Sequence, residues 1–212
     1  MKKLVIFDLD GTLLNTIADL AHSTNYALNK LGYPTHEIEK YNFMVGNGID
    51  KLFERALPEE EKSKENVLRV RKEFVPYYDI HNADDSRPYP GIPELLSYLQ
   101  DAGVQIAVAS NKYQAATQKL VDHYFPEIHF TAVLGQREGV KVKPDPIIVS
   151  DILEIAKVAK EEALYVGDSG VDMQTAANAG VTACGVTWGF RPRTELEEFN
   201  PSRSEEHTSE LQ

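Results

Sequence analysis

Apolar positions along this chain alternate between two rhythms. Residues 4–7, Leu-Val-Ile-Phe, form a short unbroken apolar run rich in β-branched and aromatic side chains. Such a run predicts a strand buried on both faces, as in a parallel sheet. A 3.6-residue rhythm follows through Ile17, Leu20, Ala21, Tyr26, Leu28 and Leu31, and Gly32 and Pro34 stop it. From His36 to Asp85 the helical spacing continues in Ile38, Leu52, Phe53, Leu57, Val67, Leu68, Val70 and Phe74, and no run reads as a buried strand. The expectation is an all-helical insertion of about four helices, closed by the polar, proline-rich return at 84–91.

Strands and helices then alternate. Helices are expected over 92–100, around Ala116–Tyr124, over 147–156 and up to Gly180, with strands over 105–109, 130–134, 163–166 and 181–186. Strands separated by helices imply βαβ units and a doubly wound parallel α/β sheet. The domain reading is a discontinuous core, residues 1–14 and 87–202, interrupted by a helical cap at 15–86.

Polar chemistry begins where the apolar runs stop. Asp8 and Asp10 follow the first run, with the turn-former Gly11 behind them. Ligands of open α/β sheets sit beyond the carboxyl ends of the strands. Two carboxylates there repel each other unless they share a cation, and oxygen donors without thiolate or imidazole suit a hard ion such as Mg²⁺. Ser110 and Asn111 follow the strand at 105–109, Lys143 stands before Pro144, and Asp168, Ser169 and Asp172 follow the strand at 163–166. Each has a plainer reading: Ser110 as a helix N-cap, Asp172 as an acid favoured in a first helical turn, Lys141 as the rival of Lys143.

In order and spacing these four stretches resemble the motifs of the haloacid dehalogenase-like superfamily: D-x-D-G-T at 8–12, a hydrophobic run ending in Ser110, Lys143-Pro144, and G-D-S-x-x-D at 167–172. The resemblance spans roughly 1–200 and implies a Rossmann-like core with an inserted cap. It also implies Asp8 as nucleophile, Asp10 as general acid and base, and Ser110, Asn111 and Lys143 on the phosphoryl group. Mg²⁺ would be held by Asp8, the Asp10 carbonyl and Asp168, with Ser169 and Asp172 behind them. Within the cap, Gly46-Asn47-Gly48 and Arg55 resemble the substrate loop of the phosphoglycolate phosphatase branch, although an interhelical turn explains them equally. Many relatives carry Asp-Ser where this chain has Asn15-Thr16. The expected activity is Mg²⁺-dependent hydrolysis of a small phosphate monoester. A phosphosugar mutase is the alternative within the family, and a phosphoacceptor or binding module the alternative outside it. No role is read for Trp188-Gly189-Phe190-Arg191.

Charge and cysteine content narrow the setting. A formal charge of −11 argues against a nucleic-acid backbone as partner but leaves a small phosphorylated metabolite open. Asp8 ends the first apolar run after four residues, too soon for a signal core or membrane span. A single cysteine, Cys184, fits a reducing cytoplasm, and with Phe190 six positions on it lacks the arginine of a cysteine-dependent phosphatase. The six histidines are dispersed without zinc spacing.

Residues 203–212, Arg-Ser-Glu-Glu-His-Thr-Ser-Glu-Leu-Gln, resemble the in-frame translation of a sequencing adapter and are set aside from the expected fold. Without their one Arg and three Glu, 21 basic residues face 30 acidic ones, a charge of −9. A sheet edge lacking its last strand would then be open.

Overall fold

A computed structural model describes residues 2–199, 201 and 203–206. The apolar run at the N-terminus is β1 (Leu4–Phe7), with all four residues buried. A two-residue strand, β2 (Leu14–Asn15), leads into α1 (Ile17–Lys30), α2 (Ile49–Ala56) and α3 (Lys64–His81). The chain returns through β3 (Arg87–Pro88), which pairs antiparallel with β2, Leu14 opposite Pro88 and Asn15 opposite Arg87. Then come α4 (Ile92–Asp101), β4 (Gln105–Tyr113), α5 (Gln114–Tyr124), β5 (Phe130–Gln136), α6 (Ile147–Ala156), β6 (Ala163–Gly167), α7 (Gly170–Ala179), β7 (Thr182–Val186), α8 (Arg193–Glu198) and β8 (Arg203–Glu205).

Six strands form one sheet in the order β5-β4-β1-β6-β7-β8, all pairs parallel. The chain builds outward from β1 through β4 to β5, then restarts on the other side of β1 with β6. The adjacent carboxyl ends of β1 and β6 are therefore the switch point, where a crevice opens. α4 and α5 cover one face over Leu95, Leu96, Leu120 and Val121, while α6 and α7 cover the other over Val149, Ile152 and Ala176.

The helical segment has its own apolar centre, with Tyr41, Phe53, Phe74 and Tyr78 fully buried and the Phe53–Phe74 and Phe74–Tyr78 ring centroids 5.0 Å apart. Three α-helices and two 3₁₀ turns (Ile38–Phe43 and Glu59–Glu61) occupy it, instead of about four helices. The short turns fall beside Pro58 and before Val45-Gly46, where an α-helix cannot continue. Where the segment joins the sheet, the buried Asp19 carboxylate accepts the Asp85 N–H at 2.9 Å and the Ser86 N–H at 2.8 Å, tying the start of α1 to the chain entering β3.

Two expectations change. β4 runs four residues beyond Ala109, through Ser110-Asn111-Lys112 to Tyr113, because β5 keeps pairing with it to Gln136 across an irregular register. The edge beside β7 is also filled: β8 comes from the stretch that was set aside, with Cys184 opposite Arg203 and Val186 opposite Glu205. Parallel pairing uses main-chain groups, and edge strands accept polar, charged side chains, so Arg-Ser-Glu serves. Residues 207–212 lie outside the described residues. No helix among the described residues is long and apolar enough to cross a membrane.

Candidate active site

The sheet's carboxyl rim and the helical segment enclose a cleft of about 550 Å³ including its open mouth. Asp8, Asp10, Ser110, Asn111, Asp168 and Ser169 line it from the sheet, and Leu20, Val45, Gly46, Gly48, Ile49 and Leu52 from the helices. The strand ends that the sequence singled out thus converge on one space.

Main-chain turns aim the first pair of acids. The Asp8 N–H donates to the Val166 carbonyl at 2.9 Å, continuing the β1–β6 ladder, and the Leu9 N–H donates to Asp8 Oδ1 at 2.7 Å. Gly11 then takes φ +87° and its N–H donates to the Leu14 carbonyl. A Cβ there would lie 2.3 Å from Asp168 Oδ2, so only glycine lets the turn pass this close to the neighbouring strand end.

Lys143 holds the floor. Its Nζ lies 2.9 Å from Asp8 Oδ1 and 2.7 Å from Asp172 Oδ1, and donates to the Ala109 carbonyl at 2.9 Å. Asp172 uses its other oxygen to accept the Ser169 N–H at 3.1 Å and Oγ at 2.5 Å, closing the first turn of α7. Lys141, the rival lysine, is 81% exposed and pairs with Asp145 instead.

One carboxylate oxygen from each of Asp8, Asp168 and Asp172 lies within 4.8 Å of the other two, and all three residues are buried. One ammonium among three carboxylates leaves two negative charges uncompensated. Burial, with Asp172 repulsion second and Lys143 opposing, pushes the Asp8 carboxyl up to about 7. Burial and then the Asp172 and Asp8 charges also push Asp168 well above the usual carboxylate range, against the Phe190 N–H and Thr12 hydroxyl that it accepts at 2.8 and 3.2 Å. Burial works against the Lys143 charge, yet Asp172 and Asp8 outweigh it and hold its pKa well above the lysine range. An excess-negative, all-oxygen pocket fits a hard divalent cation.

Asp10 belongs to a second pair. Lys112 Nζ lies 3.0 Å from both of its oxygens, with the lysine 2% exposed, and Thr16 Oγ1 donates to Oδ1 at 2.6 Å. Sequence reasoning missed Lys112, although it follows Ser110-Asn111 directly and all three line the cleft. It also missed the 188–191 loop, where Trp188 Nε1 donates to the Thr12 carbonyl at 3.1 Å and Phe190 braces Asp168. Those contacts join residues more than twenty or more than a hundred positions apart, beyond any local pattern.

Other expected positions differ. Asn111 spends its side chain on main chain, donating to the Gly46 and Lys143 carbonyls at 3.0 and 3.1 Å and accepting the Lys143 N–H at 2.8 Å. It braces the lysine loop and leaves no side-chain donor for a phosphate. Gly46 and Gly48 line the cleft, but Arg55 donates to the Met44 carbonyl at 2.8 Å and Asn47 Oδ1 at 2.7 Å, and neither it nor Asn47 lines the cleft. The guanidinium takes nearby main-chain carbonyls instead. Among the described residues, the cations lining the cleft are Lys112 and Arg191.

Comparison with known proteins agrees with this arrangement. The sequence profile of haloacid dehalogenase-like hydrolases matches residues 5–186. A phosphoglycolate phosphatase of Mesorhizobium japonicum is 32% identical over 212 residues, 99% of this chain and 93% of its own. Another from Vibrio parahaemolyticus is 33% identical over 214 residues, 99% and 94% of the two chains. A crystal structure from Lactobacillus delbrueckii subsp. bulgaricus, whose phosphoglycolate phosphatase assignment is itself an inference, superposes with a TM-score of 0.93 at 32% identity, covering 100% of this chain and 97% of that one. The profile runs from within β1 to the end of β7 and the relatives are matched nearly end to end, so this chain belongs to the haloacid dehalogenase-like hydrolase family.

Proposed function

We propose that this protein is a phosphatase that hydrolyses a small phosphate monoester, phosphoglycolate foremost, through an aspartyl-phosphate on Asp8. One observation carries the reading: a single cleft gathers Asp8, Asp10 and Ser110, with Lys143 2.9 Å behind Asp8. The substrate follows from the near-full-length relatives named phosphoglycolate phosphatase.

An Asp8 oxygen attacks phosphorus, the bond from phosphorus to the ester oxygen breaks, and Asp10 gives the departing alkoxide its proton. Asp10 then takes a proton from water as the water oxygen attacks the same phosphorus, releasing the Asp8 carboxylate and inorganic phosphate. Lys143 and the Ser110 hydroxyl balance charge on the phosphoryl oxygens, and Asp172 holds Lys143 in place. The carboxylates of Asp8 and Asp168 and the main-chain carbonyl of Asp10 would hold Mg²⁺, which supplies charge neutralisation for the phosphoryl group. Residues 15–86 serve as a cap that excludes water and reads the substrate. The buried, solitary Cys184 supports a cytoplasmic setting.

The test is inorganic phosphate release from a panel of small phosphomonoesters, with Mg²⁺ or EDTA, by wild type and Asp8→Asn. Metal-dependent turnover lost in Asp8→Asn supports the reading. Conversion of a phosphosugar to an isomer without free phosphate would replace it with a mutase.

A further inference from the structure

Three cations reach the cleft or its floor, and two are already neutralised. Lys143 stands 2.9 and 2.7 Å from two carboxylates, and Lys112 stands 3.0 Å from both oxygens of a third. The third cation, Arg191, has Glu195 as its nearest acid, at 3.9 Å from Nε, beyond hydrogen-bond distance. Among the described residues its hydrogen bonds leave from Nη2 alone, to the Val45 carbonyl at 2.9 Å and the Phe43 carbonyl at 3.4 Å. Its side chain is 11% exposed, and its guanidinium lies 5.4 Å from the Phe43 ring centroid.

Arg191 is also rigidly referenced to the reacting centre. The preceding residue donates its N–H to Asp168 at 2.8 Å, and Trp188 is pinned to the Thr12 carbonyl. A cation fixed there, lining the cleft, has only a loose counter-charge in Glu195, which lies outside hydrogen-bond distance. Arg55 sits near enough for the two guanidiniums to repel: burial and then the Arg191 charge lower its pKa. The lining from the helical segment, Leu20, Val45, Gly46, Gly48, Ile49 and Leu52, carries no charged side chain.

Resting on the phosphatase reading, we propose that Arg191 is the specificity-determining residue of this cleft, receiving the distal carboxylate of a short phosphorylated carboxylic acid. Nη2 stays on the carbonyls of the helical segment while the rest of the planar guanidinium meets the carboxylate. Anion recognition and the seating of residues 43–45 over the sheet then depend on one side chain. A guanidinium matches a carboxylate in plane and keeps its charge at any physiological pH, which a lysine ammonium at this position would do with poorer geometry.

The test compares kcat/KM on phosphoglycolate with kcat/KM on ethyl phosphate, which keeps the ester and lacks the carboxylate, in wild type, Arg191→Lys and Arg191→Ala. The expected result is a wild-type preference for phosphoglycolate and a ratio of the two constants that falls about 10- to 100-fold in Arg191→Ala, as for a lost charge-assisted hydrogen bond, with Arg191→Lys between. A general loosening of the fold lowers both constants together and leaves the ratio in place, and that outcome overturns the proposal. Wild type hydrolysing both esters without preference overturns it together with the substrate assignment. A retained preference in Arg191→Ala overturns the role of Arg191 alone.

Discussion

Lys143 sets its ammonium 2.9 Å from Asp8 Oδ1, with the two side chains only 2% and 12% exposed. Asp168 and Asp172 crowd the same space, and among the described residues this lysine is the one cation paired with any of the three buried carboxylates. Lys143→Met keeps the volume and removes the charge. Breaking a buried pair from one side costs about 3–5 kcal/mol. For a chain of this length that lowers Tm by roughly 6–20 °C in EDTA at pH 8. At pH 5 the carboxyls can take up protons, and the loss should be smaller. Equal losses at both pH values, read by thermal melts, would show that Lys143 contributes packing and not charge.

Metal-free protein should also lose stability as pH rises. The Asp8 carboxyl titrates at about 7 in the folded chain against 3.8 for the ordinary group. Between those values the folded state holds more protons than the unfolded one, so stability falls with increasing pH and the cost is complete above about 7. Asp168 is pushed the same way by burial and its neighbours, adding to the slope. The Asp8 shift alone corresponds to at most about 4 kcal/mol. Mg²⁺ opposes the repulsion only where the carboxylates are ionised. Melting temperature should therefore rise with added Mg²⁺ at pH 8 and hardly move at pH 5. An equal rise at both would place the metal somewhere other than these acids.

Gly189 makes a steric prediction. A Cβ there would lie 2.2 Å from Asp168 Cβ and 2.4 Å from the Gly11 carbonyl oxygen, both part of the reacting rim. Neither neighbour is the loose end of a flexible side chain, so the 188–191 loop must move. Overpacking of this kind costs about 1–3 kcal/mol. A displacement near 1 Å of Asp168 lowers turnover by on the order of 100-fold. Gly189→Ala should fold and melt only modestly lower while losing most of its activity. Wild-type kinetics in that variant would mean that the loop does not set the position of Asp168.

These positions mark where reading the chain stops. Asp8, Ser110 and Asp168 are legible because each ends an apolar run, and a parallel sheet brings such ends to one rim regardless of detail; Lys143 is legible only through the proline that follows it. Asp172 was legible as a residue behind the acids, because its place in a first helical turn limits where it can point. Lys112 was within reach, since it lies two residues past Ser110, but the expected strand ended at Ala109. Gly189 and Arg191 were not within reach. Their meaning comes from Asp168 and Val45, which stand 21 and 146 positions away and meet them only after the sheet and helices have packed. Arg55 misled for the converse reason: its composition suits an anion, but nearby carbonyls claimed the guanidinium first. The edge strand β8 escaped because parallel pairing needs main chain and little else.

The second buried lysine carries the remaining prediction. Lys112 Nζ lies 3.0 Å from both Asp10 oxygens and 4.9 Å from the Tyr78 ring centroid, between sheet and helical segment. Thr16 fixes the Asp10 side chain from the opposite side at 2.6 Å. In Lys112→Met the carboxylate keeps one hydroxyl donor and is free to turn about it, so the proton it delivers reaches the leaving oxygen less often. Proton transfer by a positioned group is worth about 100- to 10,000-fold, and loss of its alignment should cost part of that, roughly 10- to 100-fold in kcat. KM should change less, because Lys112 is already neutralised and adds little to substrate attraction. Lys112→Arg should not restore the rate, since a planar fork does not fit the space that a compact ammonium fills beside Tyr78. Steady-state phosphate release with a good and a poor leaving group separates the roles. An alignment defect weighs on the poor leaving group, which needs the proton most. A uniform fall with both would instead assign Lys112 to the general packing of the helical segment on the sheet.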